Sequence, residues 1–175
     1  MKTLMLFLLV AFSSYSSSIY NQHYKTLDGD EIYLSQYQGK KMLLVNIASE
    51  SQYAPVQIPH LEQLYRQFND SLIVIGFPSN DFGNEPRSDS EIKMLMKNTY
   101  NITFPVSIKV GVKDSTASSH PIFQWLQRQE QNGSMNAKIK RDFQKYLIDG
   151  DGKIIGLFSG KIDPLDSTII NAITQ

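Results

Sequence analysis

The segment Met42-Leu43-Leu44-Val45-Asn46-Ile47-Ala48-Ser49-Glu50-Ser51 reads as a buried strand that delivers one side chain, Ser51, to the head of a helix. The chain contains no cysteine, so thiol chemistry has no starting atom: a hydroxyl cannot climb the oxidation ladder to a sulfenic acid. Serine can instead act as a hydrolytic nucleophile, but only beside a base, usually a histidine held by a carboxylate. The histidines are His23, His60 and His120, and no serine sits in a G-x-S-x-G elbow. Ser51 therefore does not read as an activated nucleophile. Met94 and Met96 are oxidisable sulfurs, yet Met96 falls on the inner stripe of a helix and reads as core. Asp149-Gly150-Asp151-Gly152 shares part of a calcium-loop pattern but lacks the twelve-residue ligand set and the closing glutamate, and reads as a hairpin turn.

The elements that position these residues follow from periodicity. Residues 24 to 34 form a predicted hairpin turning at Leu27-Asp28-Gly29-Asp30. The continuous apolar run Met42–Ile47 predicts a central strand covered on both faces. Leu61, Leu64, Tyr65 and Phe68 recur at helical spacing and predict a helix over 60–70, followed by a buried strand over 71–77 and a loop rich in Pro, Asn, Gly and Asp over 78–87. Ser88 with Glu91 has capping-box spacing and opens a helix carrying Ile92, Leu95 and Met96. A short helix is predicted over 120–129, with Pro121 in its first turn. Strands over 145–148 and 153–158 flank the Asp-Gly-Asp-Gly turn, and a last helix is predicted to start at Asp163-Pro164. This order predicts an α/β domain with a central mixed sheet, helices on both faces and an N-terminal β-hairpin.

Composition bounds the function. The 175 residues are 41% hydrophobic and 19% charged, which suits one domain with a proper core. The 17 basic and 17 acidic residues give a formal net charge of +0 with no like-charge block, which argues against nucleic acid as a partner. Met1-Lys2-Thr3, the apolar run 4–12 and the serine-rich stretch 13–18 have the three-part pattern of a secretory signal. That run is too short to span a bilayer. The expectation is a signal peptide over 1–18, no stable membrane insertion after its removal, a single domain over 19–175, and export to a periplasm or the exterior.

Several motifs in order resemble the glutathione peroxidases: Leu34-Ser35-Gln36-Tyr37-Gln38-Gly39-Lys40, Val45-Asn46-Ile47-Ala48-Ser49, Gly76-Phe77-Pro78-Ser79-Asn80-Asp81-Phe82-Gly83, Tyr100-Asn101-Ile102-Thr103-Phe104-Pro105, His120-Pro121-Ile122-Phe123-Gln124-Trp125-Leu126, and Phe143-Gln144-Lys145-Tyr146-Leu147-Ile148-Asp149. The resemblance runs over nearly the whole chain after residue 18. It implies a thioredoxin-like fold and, by descent, reduction of hydrogen peroxide or lipid hydroperoxides with glutathione or thioredoxin as reductant, in a response to oxidative stress.

The resemblance also implies a tetrad of cysteine or selenocysteine, glutamine, tryptophan and asparagine. At those positions this chain has Ser51, Asp81, Arg141 and Asp142. The glycine after the nucleophile is Gln52, the position of a frequent resolving cysteine is Met96, and the loop after Gly83 is one residue shorter. All four tetrad positions have changed, so the expectation is a pseudoenzyme inactive as a thiol peroxidase. Asp81 and Asp142 are expected to add two carboxylates, with Arg141 pairing to one or both. The sequence implies no cofactor. The alternative is a binding module that uses the old active-site face for a peptide or protein partner, or for a divalent metal held by Asp81, Asp142 and Glu50.

Overall fold

A computed structural model describes residues 17–114 and 118–175. The first sixteen residues of the predicted signal lie outside the described residues. Strands β1 (His23–Lys25) and β2 (Glu31–Tyr33) pair antiparallel as a hairpin. Its turn is closed by Thr26, whose Oγ1 accepts the N–H groups of Asp28 and Asp30, with Gly29 at φ 98°. The main sheet contains β3 (Lys41–Ile47), β4 (Leu72–Pro78), β5 (Lys145–Ile148) and β6 (Ile154–Phe158) in the order β4-β3-β5-β6. β3 runs parallel to β4 and antiparallel to β5, so the sheet is mixed.

The helices are α1 (Ala54–Phe68), α2 (Asp89–Asn98), α3 (Pro121–Gln127), the single turn α4 (Gln129–Asn132) and α5 (Ser167–Thr174). The period-two alternation of β3 divides the core. Met42 and Leu44 face one layer with Tyr24, Phe77, Phe123 and Trp125. Leu43, Val45 and Ile47 face the other with Ile58 and Leu61 of α1, Ile92 and Met96 of α2, and Ile169 of α5. Each such side chain, fully buried, contributes about 1.5–3 kcal/mol relative to exposure. Because β3 is covered on both faces and paired on both edges, its C-terminal end is fixed, and that end carries the Ser51 turn.

Two helix starts differ from the sequence reading. α1 begins at Ala54 and not near His60. Pro55 falls in the first turn, where a missing N–H costs nothing, and Pro59 one turn later is also accommodated, so two prolines mask two helical turns. α5 begins at Ser167, capped by the Asp166 carboxylate on Thr168 N–H. Asp163 and Pro164 form the preceding turn, in which the Asp163 carboxylate accepts Leu165 N–H at 2.8 Å. The predicted capping box on α2 is present: Ser88 and Glu91 bond reciprocally.

Candidate functional site

Beyond Ile47 the chain leaves the sheet through a turn locked by a buried carboxylate. Glu85, 0% exposed, accepts Ser49 N–H and Ser49 O–H, both at 2.7 Å. Arg87 donates to Ser49 Oγ at 2.7 Å and pairs with Glu50 at 3.0 Å. Glu50 N–H donates to the Asn84 carbonyl at 2.9 Å, which ties the 78–87 loop to the turn. Ser51 N–H closes on the Ala48 carbonyl at 3.2 Å and the Ser51 carbonyl accepts from Ala54, so the turn runs directly into α1.

Ser51, 5% exposed, stands on the wall of a cavity of about 480 Å³ lined by Glu50, Gln52, Tyr53, Phe82, Asn84, Arg141 and Asp142. Asp142 is 3% exposed. Its Oδ2 accepts the Asn84 side-chain amide at 2.6 Å, while its buried Oδ1 has no hydrogen-bond partner. Burial pushes the Asp142 carboxyl above its ordinary range; Asn84, Ser51 and the charge of Lys113 pull the other way.

Asp142 reaches this wall because the next residue, Phe143, adopts φ 61°, a left-handed conformation uncommon outside glycine. Two bonds hold it there: Phe143 N–H donates to the Asn46 carbonyl at 2.7 Å, and Lys145 Nζ donates to the Phe143 carbonyl at 2.8 Å. Lys145 is 0% exposed and also donates to Gln57 Oε1 at 2.6 Å and the Ile162 carbonyl at 2.9 Å. Burial pushes its amine down to about 7, opposed by the Asp163 carboxylate.

The structure brings Ser51, Arg141 and Asp142 to one cavity and leaves Asp81 out. The Asp81 carboxylate turns to the 110–113 segment, where Oδ2 accepts the N–H groups of Val112 and Lys113 at 2.7 Å each. Two charge-assisted bonds to backbone donors hold it there, and the neighbouring Phe82 ring lines the cavity. The expected pairing of Arg141 with a carboxylate is also absent: among the described residues no ion pair includes Arg141. Its stem instead packs over Gly160, where any Cβ would touch it. The proposed Asp81–Asp142–Glu50 metal set is therefore not assembled, and among the described residues no group of three or more His, Cys, Asp or Glu is placed to hold a metal ion.

The histidines lie elsewhere. His60 bonds Asp163 at 2.8 Å, His23 pairs with Glu31 at 3.1 Å, and His120 caps α3 by accepting Ile122 N–H at 3.3 Å. Burial pushes His120 down to about 4, so its ring is neutral and its Nδ1 can accept. No histidine lines the Ser51 cavity. The sequence reading gave no role to Tyr53, Asn84 or Lys145. Lys145 carried a signal, a lone lysine at the head of a buried strand; Asn84, in an irregular loop, carried none.

A family model described as glutathione peroxidase matches residues 19–127. Arg141 and Asp142 lie beyond the matched stretch. A glutathione peroxidase homolog of Staphylococcus epidermidis is 40% identical over 149 residues, covering 84% of this chain and 92% of that protein. A glutathione peroxidase-like peroxiredoxin of Saccharomyces cerevisiae is 34% identical, covering 91% and 99%. Among solved structures, Trgpx in its apo form superposes with a TM-score of 0.67 at 32% identity, over 91% of this chain and 98% of that one. A thiol:disulfide interchange protein of the thioredoxin family from Chlorobium tepidum superposes at 0.65 with 18% identity, over 91% and 97%, a likeness of fold alone. The architecture is thus thioredoxin-like.

Proposed function

The chain belongs to the glutathione peroxidase family and has no cysteine, and from this we propose that it is a non-catalytic member whose former active-site cavity binds a ligand. The absence of any thiol carries the reading. Thiol-dependent peroxide reduction begins with a thiolate attacking the peroxide oxygen and leaving as a sulfenic acid, and the Ser51 hydroxyl has no such oxidation state. A hydrolytic role for Ser51 lacks its base, since no histidine lines the cavity, Glu50 is paired with Arg87, and burial favours the neutral form of the Asp142 carboxyl. What the site retains is a half-open cleft, aromatic walls from Tyr53 and Phe82, and a few convergent polar groups, which is the composition of a binding pocket. Residues 1–18 further support export, to a periplasm or the exterior.

Peroxide consumption by the purified protein, with glutathione or thioredoxin as reductant, tests the reading. A variant carrying Ser51→Cys, Asp81→Gln, Arg141→Trp and Asp142→Asn runs alongside. The natural protein is expected to be silent. Turnover by the natural protein at a rate comparable to the reconstructed variant sinks the proposal. Mass spectrometry of the exported product tests the cleavage, with an intact Met1 N-terminus as the contrary result.

A further inference from the structure

We propose that β6 is a self-association edge: two copies of this chain pair antiparallel along their β6 strands, about a two-fold axis through Gly156, and their sheets join into one.

β6 closes the sheet order β4-β3-β5-β6. Its inner side pairs with β5, and among the described residues no strand, bridge or loop backbone bonds its outer side. Such an edge is a template for another strand, and chains commonly guard it with a proline or a charge in mid-strand. The five residues Ile154-Ile155-Gly156-Leu157-Phe158 carry neither. The strand does carry a bulge: Leu147 pairs with Gly156 and Ile148 with Ile154, which leaves Ile155 as the extra residue. The bulge lies at the start of the strand and does not bury Ile155. Ile155 is 45% exposed and Leu157 43%, while Ile154 is buried and the Phe158 ring folds over Gly156. Two branched apolar side chains, two positions apart, therefore stand in water beside unpaired backbone.

The occupant that fits this edge is the same strand reversed. With Gly156 on the axis, each Ile155 stands opposite Leu157 of the second copy, on one face of the joined sheet, and each apolar pair covers the other. Gly156 brings no side chain to the axis. The same operation sets Lys153 against Ser159 and Asp151 against Lys161. Asp151 and Lys161 are exposed, and neither joins an ion pair among the described residues. A parallel arrangement would instead set lysine on lysine at positions 153 and 161. The reversed pairing is self-complementary in both its apolar and its charged positions, and a contact of that kind closes at two copies.

Sedimentation equilibrium on the mature protein tests this. A concentration-dependent dimer is expected, with a dissociation constant of about 10–100 µM, as suits a small interface. Leu157→Lys puts a charge on the edge and is expected to weaken the dimer at least tenfold. Asp151→Lys and Lys161→Asp are each expected to weaken it about threefold, and the chain carrying both to recover the natural affinity, which a merely structural role for either residue would not produce. Circular dichroism of each variant establishes that it is folded. The register is read by crosslinking, for which a chain without cysteine is a clean background. Opposite residues lie about 4.5–5.5 Å apart between Cα atoms, within disulfide reach, whereas two copies of the same off-axis residue lie about 7–8 Å apart. A mixture of Ile155→Cys and Leu157→Cys chains is therefore expected to crosslink under air oxidation at least tenfold faster than either variant alone. A protein that stays monomeric up to about ten times the expected dissociation constant overturns the proposal and leaves the edge to an extended segment of another protein. A dimer unchanged in folded Leu157→Lys, or crosslinking as fast in one variant alone as in the mixture, overturns it as well.

Discussion

Replacing Lys145 by methionine removes a buried ammonium and keeps the length of its stem. In the folded protein burial lowers this amine from 10.5 to about 7, so folding costs stability wherever the unfolded chain holds the proton more tightly. The cost is fully present below pH 7 and is relieved as pH rises toward the unfolded value. At 1.36 kcal/mol per pH unit the full span is about 5 kcal/mol, of which about 2.5 kcal/mol is recovered between pH 6 and pH 9. The bonds of Lys145 to Gln57, Phe143 and Ile162 work in the opposite direction in the variant. Methionine leaves all three acceptors unpaired, at about 1–3 kcal/mol each. At pH 6 the two effects offset, and the two proteins are expected to be of similar stability. By pH 9 the natural protein should lead by about 2.5 kcal/mol more than it does at pH 6. Urea denaturation of both at pH 6, 7, 8 and 9 measures this difference. His60 and Asp163 are present in both, so their direct contributions largely cancel. A stability difference that stays flat across this range would refute the assignment of Lys145 as a buried amine titrating near neutrality.

Other substitutions probe the scaffold of the site. Gly160→Ala places a Cβ against the Asp142 carbonyl and the Arg141 stem, and is expected to cost about 1–3 kcal/mol by overpacking; a thermal melt superimposable on the natural protein's argues against that close approach. Glu85→Ala strips both acceptors from Ser49 and leaves its part-buried N–H without a partner, for an expected loss of about 2–4 kcal/mol in urea denaturation, with a loss below half a kcal/mol as the contrary outcome. Ser88→Ala breaks the capping box of α2 and should cost about 1 kcal/mol, measurable in the same assay.

Much of the fold was legible along the chain because it depends on local periodicity. The run Met42–Ile47, apolar except for Asn46, read as a strand covered on both faces, and the structure pairs it on both edges. Ser88 and Glu91 declared a helix start through spacing alone, because a capping box closes within four residues. The start of α1 was hidden because Pro55 and Pro59 read as breakers, although a first-turn proline lacks only an N–H that has no partner there.

The chemistry missing from the site was equally a property of the sequence, since no arrangement in space can supply a thiol to a chain without cysteine. Which polar groups meet at Ser51 was decided only by tertiary structure. Asp81 is a carboxylate in either description, but its direction is set by the backbone N–H groups of Val112 and Lys113, about thirty residues away. Asn84 reaches Asp142 across 58 positions, and the Arg141 stem lies against Gly160, on the turn after β6. Residue types and short-range spacing determine what chemistry is available. The partners of a charged side chain depend on which distant backbone groups come within about 3 Å of it, and that is settled only when the sheet and its loops have closed.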